Sequence, residues 1–344
     1  MPVPFCLSPL MNDISPRDFR WTSQARLQAS PEGYQRFAHD LLGISFHWGL
    51  YSIDGSKEWL QRLKMIPREE YAQRAQQFDA RLFNADAWLD AFCDAGATAL
   101  IIVTKHHDGF SLWDSALTDF TTARTAARRD IVAELAAACH RRNVALHFYF
   151  SLLDWHHPDG GGVEFGPPRD WDAFSAFMLG QVEELCRRFG KVAGFLFDGW
   201  WPASKAADDQ TDVDKNITWP LTQLYDLIHR LQPQAMLTNN HHILPLPGED
   251  YQVWEIDVPG QNAQGFNCTE IGDKPLMAWM TSTGGWSWQP DRADLRTPEQ
   301  LLADYRNCRA INAAYFQNLG PKPDGALNPV EMDLLRRFAE LRNG

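Results

Sequence analysis

A strand-then-helix alternation recurs along this chain, and it restricts the fold more than any other feature. Apolar runs of strand length occupy residues 41–48, 98–105, 144–151 and 192–198. Weaker runs follow at 235–239, 251–255, 276–281 and 313–319. Between them lie stretches with helical periodicity at 87–95, 130–142, 171–189, 221–231, 298–312 and 329–342, stopped by Gly96, Asn143, Gly190 or Pro233. Alternation of this kind makes a parallel sheet covered by helices. Eight strands in 344 residues predict a single (β/α)8-like, TIM-type barrel with loop insertions, an α/β fold. The barrel is expected over residues 36–344. Residues 1–35 carry little periodicity and are expected to form an N-terminal extension packed on its floor or side.

The formal charge of −12 argues against nucleic acid or an anionic membrane as partner, because both reward clustered Lys and Arg. No run approaches the ~20 apolar residues of a membrane span. The start of the chain lacks a basic segment and an unbroken apolar stretch, so the expected location is cytoplasmic, with a trimmed leader as the alternative. Six dispersed cysteines without a CxxC pair suggest free thiols, those at 93, 139 and 186 on apolar helix faces. Fourteen tryptophans exceed what a core of this size needs, which suggests that several line a cleft.

The polar residues follow the strand ends. His47, His106-His107-Asp108, His156-His157, Asp198, Asn239-Asn240 and Glu255 all lie at or just past predicted strand C-termini, which converge on one rim in a barrel. Asp198 ends the run Val192 to Phe197 and precedes Gly199, Trp200 and Trp201. A carboxylate at that place, with aromatic surfaces for sugar rings, suits glycoside hydrolysis by paired carboxyl groups. Glu255 is the candidate partner, with Glu249, Asp250, Asp257 and Glu270 as neighbouring competitors. Adjacent strand residues face opposite ways, so His106 and His107 reach one site only if the chain kinks at Asp108-Gly109. Both then serve as hydrogen-bonding partners for sugar hydroxyls, and metal ligation is the rival reading. His47 at the first strand tip, His157 after the third strand, and the aromatic platforms Trp113 and Trp201 complete this set. Gly160-Gly161-Gly162 lacks the strand–helix context of a phosphate loop, and no dinucleotide or zinc signature occurs.

Four segments together resemble the family 29 glycoside hydrolases, the α-L-fucosidases: Gly43 through Ser52 with His47-Trp48-Gly49, Lys105-His106-His107-Asp108-Gly109-Phe110 through Trp113, Asp154-Trp155-His156-His157-Pro158, and Asn318 through Gly325. The resemblance runs from about residue 35 to the C-terminus. It implies a retaining hydrolase of terminal α-L-fucosides, with Asp198 as nucleophile and no metal or other cofactor. It further implies that His47, His106 and His107 bind fucose, that Glu58-Trp59 and Tyr149 reach the sugar, and that Glu255 aligns with the acid/base. The implied partner is a fucosylated oligosaccharide or glycoside.

The chain departs from the family pattern at Leu196, where Trp is common, and near Leu276-Met277, where a Trp-Glu pair is missing. Trp286-Ser287-Trp288 stands in place of Trp-Gly-Tyr, and no β-sandwich follows the barrel. The exposed barrel surface makes a homo-oligomer an expectation. The alternatives are a fucose-binding protein without catalysis, a metal-dependent barrel hydrolase, and a glycosidase for a related sugar such as α-L-galactose.

Overall fold

A computed structural model describes residues 22–160, 170–199, 218–290, 292 and 294–344. Eight parallel strands form one sheet: β1 (Leu42–Phe46), β2 (Ala99–Lys105), β3 (Ala145–Ser151), β4 (Gly194–Asp198), β5 (Met236–Asn239), β6 (Gln252–Glu255), β7 (Leu276–Thr281) and β8 (Ala314–Leu319). The hydrogen-bonded order is β5-β4-β3-β2-β1-β8-β7-β6, so β1 pairs with β8 and the sheet curls into a barrel. The strands are buried on both faces, and their side chains divide with period two. Ile101, Val103, Tyr149, Leu196 and Trp279 fall in one buried cluster inside the barrel. Leu100, Ile102, Phe148, Phe150, Phe195 and Phe197 fall in the larger cluster under the helices. This is the (β/α)8-like barrel that the alternation predicts.

The helices are α1 (Pro31–His39), α2 (Leu60–Leu63), α3 (Arg68–Ala72), α4 (Ala85–Asp94), α5 (Ile131–Arg142), α6 (Trp171–Arg188), α7 (Leu221–Leu231), α8 (Pro298–Ala310) and α9 (Pro329–Asn343). Their ends follow local chemistry. The side chains of Asn84, Asp130 and Asp170 accept from backbone N–H groups in the first turns of α4, α5 and α6. Asn143 takes the left-handed conformation that stops α5. Thr297 and Gln300 make a reciprocal capping box on α8. No described helix is long and apolar enough to cross a membrane.

Two features depart from a regular alternation. The links from β5 to β6 and from β6 to β7 carry no helix. Buried side chains close the β5–β6 seam: Asp250 Oδ2 accepts from Leu237 N at 2.9 Å while the Asp250 N–H donates to Leu237 O at 2.7 Å, and Thr238 Oγ1 donates to Tyr251 O at 2.8 Å. Asp250 Oδ1 takes the N–H of Ala29 and the hydroxyl of Tyr34, which ties the N-terminal segment to the seam. Helix α1 crosses the expected boundary at residue 35. It buries only Gly33 and Phe37, the latter 4.8 Å from the Tyr251 ring, so it leaves almost no periodic trace in the sequence.

Candidate active site

The C-terminal ends of the strands deliver the polar groups to one rim. Tyr149 points into the barrel from β3 and donates its hydroxyl to Asp198 Oδ2 at 2.8 Å. His107 Nε2 lies 3.8 Å from the same oxygen, while its Nδ1 meets Ser151 Oγ at 2.7 Å. The Ser151 hydroxyl donates to Leu153 O, so the imidazole Nδ1 is the donor in that contact. His106 stacks on Tyr149 with ring centroids 5.7 Å apart, and 5.4 Å separates it from His47. Both histidines enter the site because the chain kinks as the sequence suggests. The β2 register shifts near its end, and Gly109 adopts φ +78°. A Cβ on Gly109 would stand 2.2 Å from Asp154 Oδ1, so glycine is required there on both counts.

His47 is oriented from β8. Asn318 donates its amide N–H to Trp286 O at 2.6 Å, which turns its oxygen toward Ser45 Oγ and His47 Nδ1, the latter at 2.8 Å. Trp279 and Trp286, 4.2 Å apart by ring centroids, wall this side of the site. Glu58 is buried and accepts from Ser287 Oγ. Trp59 packs edge-on at 5.3 Å from His107.

Asn240, just past β5, donates to Glu255 Oε2 at 2.7 Å, and its amide also favours the ionised form of nearby Asp198. Burial pushes Asp198 up to about 6, against the pull of Tyr149, the Gly199 N–H and Asn240. Burial and then the charge of Asp198 push Glu255 up to about 8, with Asn240 and the Trp286 side chain opposing. Glu58 is raised by burial and adds its charge to both. Burial drives His47 down to about 4 and His107 down to about 3, so both imidazoles are neutral near pH 7. Two carboxyl groups with separated pKa values, one ionised and one protonated near neutrality, can divide the work of nucleophile and acid.

The competitors of Glu255 are engaged elsewhere. Glu249 binds Tyr225 and His241, Asp250 closes the seam, Asp257 accepts from Asn267, and Glu270 is exposed. Two expected sugar contacts are corrected. Trp113 is fully buried under α6 and gives its Nε1–H to Glu184 at 2.9 Å, so it packs behind the barrel wall. His157 turns away from the rim: Asp154 Oδ1 accepts its N–H, and its ring lies 4.5 Å from Phe177 of α6. Trp201 lies outside the described residues. Among those described, no three His, Cys, Asp or Glu side chains are grouped to hold a metal ion. Asn240 was among the strand-end residues named from the sequence, and Asn318, near the end of β8, was open to the same rule. Trp279 offered no signal beyond the surplus of tryptophan, whereas Trp286 stood out as the first residue of Trp286-Ser287-Trp288.

The alpha-L-fucosidase family model matches residues 11–341. Tissue alpha-L-fucosidase from Rattus norvegicus is 35% identical over 339 residues, covering 85% of this chain and 64% of its own length. The Homo sapiens counterpart is 34% identical, with the same coverage of 85% and 64%. Coverage of alpha-L-fucosidase 1 from Arabidopsis thaliana is 53% of that protein, so the chain spans roughly half to two thirds of these relatives. Among solved structures, alpha-L-fucosidase isoenzyme 1 from Paenibacillus thiaminolyticus superposes with a TM-score of 0.77 at 28% identity, over 91% of this chain and 76% of its own. A Bacteroides thetaiotaomicron alpha-L-fucosidase, trapped as a covalent intermediate in complex with 2-fluoro-fucosyl fluoride, gives 0.77 at 25% identity, over 94% and 77%. With the family model spanning nearly the whole chain and the rim built as described, this protein belongs to the alpha-L-fucosidase family.

Proposed function

We propose that this chain is a retaining exo-α-L-fucosidase, with Asp198 as nucleophile and Glu255 as acid and then base. The observation that carries the reading is the meeting at one rim of two half-buried carboxyl groups whose pKa values stand apart, Asp198 held by Tyr149 and Glu255 by Asn240. The covalent intermediate described for the Bacteroides relative supports the two-step route. Asp198 attacks the anomeric carbon as the C–O bond to the leaving group breaks, and Glu255 gives its proton to the departing oxygen. Glu255, now ionised, takes a proton from water as that water displaces Asp198. The neutral imidazoles of His47, His106 and His107, with Glu58, offer hydrogen-bonding groups for the fucose hydroxyls, and Trp59 an apolar face.

The test is release of nitrophenol from 4-nitrophenyl α-L-fucoside by wild type and Asp198→Ala. The variant should be inactive while wild type turns over. Glu255→Ala should lose far more activity on alkyl fucosides than on aryl fucosides with good leaving groups. Equal losses on both would remove Glu255 from the acid role, and full activity in Asp198→Ala would overturn the whole scheme. Prolonged chelation should leave the rate unchanged, which separates this reading from a metal-dependent one.

A further inference from the structure

Asn267, in the link between β6 and β7, uses all four hydrogen-bonding positions of its side chain. Its Nδ2 donates to Glu255 O and Asp257 Oδ2, each at 2.8 Å. Those acceptors fix the amide orientation, so Oδ1 must face the Glu255 N–H at 3.2 Å and His242 Nδ1 at 3.3 Å. An imidazole Nδ1 held against a carbonyl oxygen carries the proton. Burial and the nearby His241 hold the ring neutral, down to about 3. The lone pair of His242 therefore sits on Nε2, which lies 3.8 Å from Glu255 Oε2. The ring is braced by Phe266 at 4.8 Å, and His242 itself has φ +58°.

We infer that His242 is a positioning residue for the acid, its Nε2 accepting the Glu255 Oε2–H and holding that proton until the glycosidic oxygen takes it. Asn240 donates to the same oxygen, which a hydroxyl accepts while donating to His242. A carboxylate there would oppose lone pair to lone pair. The gap is about an ångström beyond hydrogen-bond length, a looseness common before substrate closes a site. The inference rests on Glu255 being the acid. Among the described residues, the other groups acting on Glu255 are Asp198 from β4, Glu58 from the loop after β1, Tyr149 from β3 and Trp286 after β7.

The experiment is the pH profile of kcat/KM on an alkyl α-L-fucoside for wild type, Glu255→Gln and His242→Asn, asparagine being tolerant of positive φ. Losing the Nε2 acceptor should move the basic limb to lower pH by about one unit. A His242→Asn profile with an unmoved basic limb overturns the inference while leaving the acid assignment standing. A basic limb that survives in Glu255→Gln removes the acid assignment itself. Ring ¹⁵N shifts of wild-type histidines, with the His242 signals assigned by their loss in the variant spectrum or by through-bond correlation in wild type, give a readout independent of the variant's folding. Protonation on Nδ1 alone near pH 7 is expected, and an Nε2–H tautomer or an imidazolium would overturn the inference.

Discussion

Replacing Tyr149 by Phe removes one oxygen and isolates what its hydroxyl does for Asp198. The ring is fully buried and stacked on His106, so the phenylalanine should occupy the same volume. What is lost is a 2.8 Å hydrogen bond to a half-buried carboxylate. A bond of that kind to a charged group contributes about 1.5–3 kcal/mol, which is about 1–2 pKa units. The hydroxyl stabilises only the ionised form, so its loss raises Asp198 from about 6 toward about 7–8. As the proposed nucleophile, Asp198 must be ionised to attack. The acidic limb of kcat/KM on 4-nitrophenyl α-L-fucoside should therefore move up, and activity at pH 5 should fall roughly ten- to hundredfold. On the alkaline side the loss should be smaller and limited to any contact the hydroxyl makes with the sugar. Because Asp198 and Glu255 titrate as a coupled pair, the expected signature is a bell narrowed from its acidic side. An acidic limb that stays in place, with activity reduced equally at every pH, would refute the claim that Tyr149 sets the nucleophile's ionisation.

Lys105→Met should cost about 3–5 kcal/mol, seen as a lower Tm, because it strips the fully buried Asp154 of its 3.0 Å cation. The double variant Lys105→Met/Asp154→Leu should lose less than the sum of the two singles, by thermal unfolding. Trp113→Phe should lower Tm by leaving Glu184 short of a donor, about 1–3 kcal/mol, with KM unchanged; a raised KM would return Trp113 to the site. Asp198→Asn should melt above wild type at pH 8, by an amount on the order of 3 kcal/mol for a carboxyl raised from 3.8 to about 6. A folded-state acid with a raised pKa binds more protons than the unfolded chain between those values, so its penalty is absent below about pH 4 and full above about pH 6. Equal Tm differences at pH 3.5 and pH 8 would contradict the burial argument.

The barrel was legible because its evidence is local. Apolar runs such as Ala99–Lys105 and stop signals such as Asn143 act within a few residues, and the strands they define match the structure closely. Helix α1 was not legible, since in a nine-residue segment the buried positions Gly33 and Phe37 supply a single large apolar side chain. At the site, strand-end position brought out His47, His106, His107, Asp198 and Glu255, which the structure gathers. That logic overreached at His157, whose ring packs on Phe174 and Phe177 of α6, and the reading of tryptophans as sugar platforms overreached at Trp113, whose Nε1–H is taken by Glu184. Partners that distant in sequence leave no mark near the residue they claim. The choice of Glu255 over Glu249 or Asp250 also rests on such partners, since only the fold shows those two spent on Tyr225, His241 and the β5–β6 seam.

The groups that steady the two carboxyls share a chemical property. The groups that pull Asp198 and Glu255 back toward ionisation are neutral donors: the Tyr149 hydroxyl, the Gly199 N–H, the Asn240 amide and the Trp286 side chain. A Lys or Arg in any of those places would orient the carboxyls equally well and would also favour their charged forms by several kcal/mol in so dry a setting. An acid that must hold its proton near neutrality tolerates no such neighbour, and a nucleophile paired to a cation gives up reactivity. Neutral donors fix geometry while leaving the two pKa values raised and apart. A reading of sequence that searches for His, Asp and Glu finds the groups that move protons and passes over the amides and phenols that hold them in register. Asn267 and Asn318 are the instances here, each set by its own hydrogen bonds to turn a carboxyl or an imidazole the working way round.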